Sequence, residues 1–471
     1  MDDVLSQVLL KIVPSKEEKQ RIYSLADKLK NDLSAIAENE GLKAEIILGG
    51  SVAKDTWIKD EADIDLFMMV PPTLNREEIK GLCLDIARKV VRDNEYVERY
   101  AEHPYIEAVV QGIKVNIVPC YRIKHEEWMS AVDRTPYHTE YVNTRMEDRD
   151  LRNEIRLLKQ FMKGISVYGA EIKIGGFSGY LCELLVIRFG SFRDLLNGFV
   201  DWISGTIIDL EDLYKEDMNK IRLFFENPLI VIDPVDMTRN VAAAVTEESL
   251  FTFIAAARHF VQKPDLRFFY PMNVTPFKGE GLSKNLQNRY TDVVVVNFKI
   301  DRAVPDVIWG QIFKSVRAIE KLLQINEFKV TRSSAWTDEN SGVSLVLELE
   351  SRLIPSCKEH WGPPVTSNDS SNFLKKHLYA DTTVSGPWIE NGRWVVATKR
   401  KYTDCTKLLQ EKLSDGGVNI GISVGLQEAI KKTGKILLNE EIIPLFKSNR
   451  EFSVFLTDFL LGVPKWLRKT L

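Results

Sequence analysis

The chain has 471 residues, of which 44% are hydrophobic and 28% charged, with a formal net charge of −4. That length exceeds what a single hydrophobic core serves, so two to four domains are expected. No stretch approaches about 18 uninterrupted apolar residues, and the start MDDVLSQVLLKIVPSKEE lacks a basic region followed by an apolar one, which argues against a membrane span or secretory leader and for a soluble protein of the cytoplasm.

The five cysteines (Cys83, Cys120, Cys182, Cys357, Cys405) are widely spaced, with no C-x-x-C pair, so neither structural zinc nor a disulfide framework is suggested. The acidic total does not advertise a nucleic-acid binder, yet a local basic surface is compatible with it.

In chain order, Ser15 and Glu18 have capping-box spacing, and Ile22, Leu25, Leu29 and Leu33 continue the rhythm of a helix ending near residues 39–41. Residues 44–48 (AEIIL) predict a short strand running into Gly49-Gly50-Ser51, and DIDLFMMV a second. A helix follows from about Arg76 to Asp93. YIEAVVQGIKVNIVPCY then places two β-branched runs around Gln111-Gly112, a hairpin.

From Met146 the periodicity becomes helical: RMEDRDLRNEIRLLKQFMKGI, GYLCELLVIRFGSFRDLLNGFVDWI and SLFTFIAAARHFVQK define a central helical region closed by prolines 264, 271 and 276. DVVVVNFKI opens a further α+β region. A helix near Trp309–Leu323 follows, then strands FKVTRSSAW and GVSLVLELE, a helix at Ser371–Leu378, strand RWVVATKRK and a helix near Ser423–Thr433.

The chemistry concentrates in GGSVAKDTWIKDEADID. In a strand, residues two apart project from one face about 7 Å apart, so Asp63 and Asp65 can converge while Ile64 and Leu66 enter the core. Paired carboxylates there are either solvated surface charge or ligands of a hard cation such as Mg²⁺. The upstream Gly50-Ser51, ending a strand, offers backbone N–H groups and a hydroxyl to a triphosphate, which favours the cation reading.

This spacing resembles the DNA polymerase β nucleotidyltransferase superfamily. The ordered segments RYAEHPYIEAVVQGIKVNIVPCYR, AVDRTPYHTEYV, NEIRLLKQFMKG, VYGAEIKIGGFSGYLCELL, IDPVDMTRNVAAAV and IENGRWVVA are similar to those of archaeal-type, class I CCA-adding enzymes, densely up to about residue 245.

The resemblance implies template-independent addition or repair of the tRNA 3′-terminal C-C-A. It implies two Mg²⁺ ions, CTP and ATP as substrates, and contact with the tRNA acceptor stem and T arm; a homodimer is left open. The implied fold is multidomain α/β: a polymerase β-like catalytic domain over 1–145, a helical central domain over 146–265, and an α+β C-terminal body over 266–305 and 389–471. A tRNA-binding α+β tail is inserted over 306–388.

The resemblance makes Asp63 and Asp65 two of three acidic metal ligands. At the third position, in VNIVPCY, stands Asn116, which lacks the charge. Three accounts are open: a deliberate isosteric replacement, a degenerate paralogue, or substitution by Glu107 on the paired strand. Weakened transfer is expected in each of the first two.

Gly50, Ser51, Lys54, His138, Lys159, Tyr168 and Arg239 match nucleotide-contacting positions, and Glu102 and His103 match residues near the growing 3′ end. Arg393, Lys399, Arg400 and Lys401, with Lys314, Arg317 and Lys321 on one helix, are candidates for tRNA phosphates. Two other readings stand beside this one: a poly(A) polymerase or oligoadenylate synthetase-like enzyme, which shares the G-S and D-x-D elements, and a catalytically silent tRNA-binding protein.

Overall fold

In a computed structural model the described residues are 1–99, 104–123, 127–202, 205–214 and 218–468. The chain forms two compact units, Met1–Met272 with Pro464–Leu471, and Asn273–Val463. Among the described residues no helix is long and apolar enough to cross a membrane.

In the first unit, helix α1 (Asp2–Ile12) precedes α2 (Lys16–Asn39), and the Ser15 side chain accepts from the Glu18 amide at 3.1 Å, the expected cap. Strand β1 (Glu45–Gly49) passes through the single turn α3 (Gly50–Ala53) to β2 (Asp63–Val70). The helix expected from Arg76 is a composite: α4 (Arg76–Glu78), a π-helical turn (Ile79–Cys83) and α5 (Leu84–Val91).

Strands β3 (Glu95–Arg99), β4 (Tyr105–Val110) and β5 (Ile113–Tyr121) complete a sheet of order β1-β2-β5-β4-β3, in which only β2 and β5 run parallel. The β4–β5 hairpin turns at Gln111 and Gly112, both with positive φ (53° and 76°), as a two-residue loop of this hand requires.

The alternation in β2 decides where the chemistry lies. Ile64, Leu66, Met68 and Val70 enter a core shared with Leu25, Leu29 and Leu33 of α2 and Leu84 of α5, each fully buried apolar side chain contributing roughly 1.5–3 kcal/mol. Asp63 and Asp65 therefore project from the other face of the sheet.

The central region holds α6 (Thr135–Arg145), α7 (Arg152–Gly164), α8 (Gly179–Phe189), α9 (Phe192–Val200), α10 (Met218–Phe224) and α11 (Glu247–Gln262). Phe161 sits amid the rings of Phe192, Phe253, Phe260, Phe268 and Phe269, at centroid separations of 5.5 to 6.2 Å. Beside these helices β6 (Ile207–Ile208), β7 (Ile230–Asp233) and β8 (Asp236–Asn240) form a small sheet that the helical periodicity does not predict. Strands of two to five residues are too short to display a period.

In the second unit, α12 (Gly281–Gln287) leads into β9 (Asp292–Lys299), α13 (Pro305–Ile325), β10 (Val330–Thr337) and β11 (Gly342–Leu349). The helix expected near Trp309 starts four residues earlier because Pro305 suits a first helical turn. Next come β12 (Cys357–Pro364), α14 (Ser370–His377), β13 (Thr383–Glu390) and β14 (Arg393–Lys399). The unit ends with α15 (Cys405–Leu413), α16 (Val424–Thr433), β15 (Lys435–Leu438), α17 (Ile443–Ser448) and α18 (Arg450–Leu461).

One sheet has the order β10-β11-β9-β15, and another β12-β14-β13. The expected boundary at 305/306 runs through the larger sheet: β11 pairs with β9 along its length, and α13 packs in the same core as Val294 and Val296. The boundary at 388/389 likewise separates the hydrogen-bonded strands β13 and β14. Sequence order alone does not reveal which strands pair across an intervening helix.

Candidate active site

At the end of β1 two glycines meet the acidic strand. A Cβ on Gly49 would lie 2.5 Å from Phe67 Cε2, and one on Gly50 would lie 2.0 Å from Asp65 Oδ2. Gly50 also has φ +66°, so only glycine fits both the conformation and the space. Ser51 follows, half-buried, in α3.

Register then builds a row across four strands. Gly49 stands opposite Asp65, Asp65 opposite Asn116 on the parallel neighbour, and Asn116 opposite Glu107. Asp63 stands opposite Lys114. Burial raises the Asp65 carboxyl above its ordinary range, only partly offset by a hydrogen bond from Asn116, and nearby Asp63 raises it further. Burial also raises Asp63, against the pull of Lys114.

Asn116 Nδ2 donates to Asp65 Oδ1 at 2.8 Å, while Asn116 Oδ1 is buried without a hydrogen-bond partner among the described residues. An exposed carboxylate at Asp63, a half-buried one at Asp65 and an orphaned amide oxygen form an all-oxygen donor set, which fits a hard divalent cation. Among the described residues no three His, Cys, Asp or Glu side chains gather as a metal site, so Asn116 is what separates this corner from a three-carboxylate one.

Glu107 is otherwise engaged. Arg99 Nη2 donates to it at 2.7 Å and Lys114 Nζ lies 2.9 Å away, and although burial opposes ionisation, these two cations hold its carboxyl below the usual range. It is a carboxylate already neutralised by its neighbours.

The basic residues expected at the phosphates converge on a carboxylate that the motif reading had left unassigned. Glu183 of α8 is 1% exposed. Its Oε2 accepts from Lys54 Nζ at 2.5 Å, and its Oε1 accepts from Thr56 Oγ1 at 2.7 Å and Lys159 Nζ at 3.0 Å. Burial alone would raise Glu183, but Lys159 and Lys54 hold it down to about 2. Lys159 Nζ also donates to Thr56 Oγ1 at 3.1 Å and Thr56 O at 3.2 Å, and burial lowers its own pKa.

A second buried carboxylate, Asp233 at the end of β7, gathers His138, Arg239 and Tyr180. His138 Nε2 lies 2.9 Å from Asp233 Oδ2, Arg239 Nη1 donates at 2.6 Å, and Tyr180 Oη donates to Oδ1 at 3.2 Å. Burial lowers His138, so its neutral ring donates from Nε2 to the carboxylate, which can only accept. The His138 ring stacks on Tyr180 at 4.0 Å, and Lys54 Nζ lies 5.7 Å from the Tyr180 centroid, linking the two groups.

Tyr168 flanks the lysine cluster: burial raises its phenol well above the ordinary value, and a Cβ on Gly179 would lie 3.1 Å from its hydroxyl and 3.7 Å from Lys159 Cε. The sequence carried signals for both hidden anchors, a lone Glu in the apolar run GYLCELLVI and an Asp ending the strand IVID.

Residues 27–138 match the family described as nucleotidyltransferase domain, 153–270 the second domain of tRNA nucleotidyltransferase, and 289–439 the C-terminal domain of CCA-adding enzyme. The chain is 34% identical to the CCA-adding enzyme of Methanosarcina barkeri over 98% of this chain and 97% of that one. It is 35% identical to that of Methanothermobacter thermautotrophicus over 97% of each. The chain belongs to the CCA-adding enzymes.

That family membership disfavours the poly(A) polymerase and oligoadenylate synthetase reading. Nucleotidyltransferases of this kind generally use divalent metal ions, in keeping with the donor set at Asp63 and Asp65.

Glu102 and His103 lie outside the described residues. In the second unit Lys314, Arg317 and Lys321 are all exposed on α13, as are Arg393, Lys399 and Lys401 elsewhere. Arg393 Nε donates to Gly362 O at 2.9 Å, and Lys401 Nζ pairs with Glu411 at 3.3 Å. Arg400 is committed within the fold, to Glu327 at 2.7 Å and to Pro355 O at 2.9 Å.

Proposed function

We propose that this protein adds or repairs the 3′-terminal C-C-A of tRNA, using CTP and ATP without a nucleic-acid template. The observation that carries the proposal is the pair Asp63, exposed, and Asp65, half-buried, on one strand face without a countercharge strong enough to lower either, beside Gly50-Ser51 in a chain that spans nearly the full length of CCA-adding relatives. Asp63 and Asp65 would hold two Mg²⁺ ions with Asn116 Oδ1 as a neutral third ligand, supplying charge at the attacking 3′-hydroxyl and the departing pyrophosphate.

The remaining work falls to the chain's own groups. Ser51 and Lys54 lie where the β- and γ-phosphates would rest, with Lys159 and Tyr168 behind them. Arg239, oriented by Asp233 and 36% exposed at its side chain, is the group positioned to offer N–H donors to the incoming base. His138 keeps Asp233 in place as a neutral donor rather than exchanging a proton. Arg393, Lys399 and the exposed cations of α13 are proposed contacts to the tRNA backbone, where they would add affinity without sequence preference.

Asn116 bears on the rate. Its amide donates a hydrogen bond to Asp65 where an aspartate would present another negative oxygen, so these residues would hold a divalent metal less tightly than three carboxylates would. The test is incorporation on RNAs that lack C-C-A, end in -C, or end in -CC, each offered CTP and ATP. Addition of C to the first two and A to the third is expected, and failure to add C to any of them, with asparagine or aspartate at 116, would overturn the assignment.

A further inference from the structure

The buried lysine cluster contains more positive charge than its own carboxylate cancels. Lys54, Lys159 and Glu183 are 5%, 3% and 1% exposed, so two ammonium groups share one carboxylate, with one positive charge in excess. A buried excess charge is costly unless an anion completes it. The hydrogen bonds indicate where that anion sits. Lys159 has a partner for each of its three N–H donors, namely Glu183 Oε1, Thr56 Oγ1 and Thr56 O, whereas Lys54, among the described residues, is hydrogen-bonded through Nζ to Glu183 Oε2 alone. Lys54 follows Ser51 by three residues, at the end of the turn that starts at Gly50.

We propose that Glu183 is a positioning residue for the triphosphate: by binding both lysines through its two oxygens, it fixes their ammonium groups beside Gly50-Ser51 and leaves one unit of positive charge for the nucleotide's phosphates. The proposal rests on the nucleotidyl-transfer reading above and extends it to a group that touches no substrate. It acts on the phosphate end only, so CTP and ATP are affected alike and the choice of base, which belongs to the Asp233–Arg239 end, is untouched. The geometry also explains an acid in the middle of α8. A neutral residue at 183 would leave two ammonium groups facing each other in a space closed to water.

The test is equilibrium binding of CTP, ATP, CMP and AMP, at fixed Mg²⁺, to the full chain in the absence of RNA, so that no transfer occurs. E183Q should weaken CTP and ATP by the same factor, about tenfold or more, and leave CMP and AMP unchanged. K54M and the double variant E183Q/K54M should bind CTP equally within about twofold, because Lys159 is already saturated by protein partners and Glu183 reaches the phosphates through Lys54. The double variant keeps the native charge excess, so it remains informative if E183Q alone fails to fold.

A folded E183Q that binds triphosphates normally, or loses CTP and CMP to the same extent, would overturn the proposal. Incorporation assays on the N116D chain separate that result from failure of the functional reading. If N116D transfers C and A while E183Q spares triphosphate affinity, only the positioning role falls.

Discussion

Asp65 and Glu183 are both acids withdrawn from water in the same unit, and burial pushes both upward; yet Asp65 ends above its ordinary range and Glu183 at about 2. The difference lies in their partners. Glu183 receives two ammonium groups and a hydroxyl, whereas Asp65 receives one amide hydrogen, faces another carboxylate, and feels Lys54 and Lys114 without a hydrogen bond from either. An acid whose charge is already balanced is scaffold. An acid left unbalanced on a sheet face is kept for a ligand, at a cost in stability until the ligand arrives.

The comparison breaks most visibly at the unbalanced acid. In the N116D chain, D65A should lower nucleotide transfer by about 1000-fold or more, measured as single-turnover incorporation of C, because it removes a carboxylate that would hold the catalytic metal ions. Restoring the third acid comes next: N116D should raise transfer with CTP and ATP by about 100-fold, roughly 3 kcal/mol of barrier. No gain in a folded N116D would point to wider loss of function in this chain.

G50A tests the contact between loop and acid. A methyl group there would sit 2.0 Å from Asp65 Oδ2 at a φ of +66°, so a loss of about 3 kcal/mol in denaturant unfolding is expected. Metal provides a gentler perturbation. Mg²⁺ should raise the melting temperature of the native chain by a few degrees, and D65N should melt higher than the native chain in chelator and lose the Mg²⁺ response.

The smallest effect is in pH, and the two acids have opposite signs. Glu183, ordinarily near 4.5, is depressed to about 2 on folding, so its stabilisation is present above about 4.5 and is lost as pH falls from there toward 2. Asp63 and Asp65 are raised, so in chelator their protonation favours the folded state as pH falls through their raised range. Thermal melts in chelator should therefore rise slightly from neutral toward mild acid and then fall, and D65N should have a smaller rise, leaving the part due to Asp63.

Much of this was legible in the sequence because it depends on local rules. The cap at Ser15, the Gln111-Gly112 hairpin and the face on which Asp63 and Asp65 emerge follow from hydrogen bonds and periods within a few residues of each other. The family resemblance also brought Lys54, Lys159, His138 and Arg239 to notice. Their partners were not legible: Lys54 and Glu183 are 129 residues apart and His138 and Asp233 are 95 apart, and no local pattern specifies which distant acid a lysine or histidine will meet.

The sequence by itself determined the chemistry available: two acids on one strand face, a glycine turn before them, and an amide where the resemblance calls for a third acid. Tertiary structure decided how those groups are charged. Packing α7 and α8 closes water out around Lys54, Lys159 and Glu183, and ion pairs with Arg99 and Lys114 occupy Glu107. The sheet register sets Asn116 against Asp65, because burial and charge partners, not residue type, fix what each ionisable group is free to do.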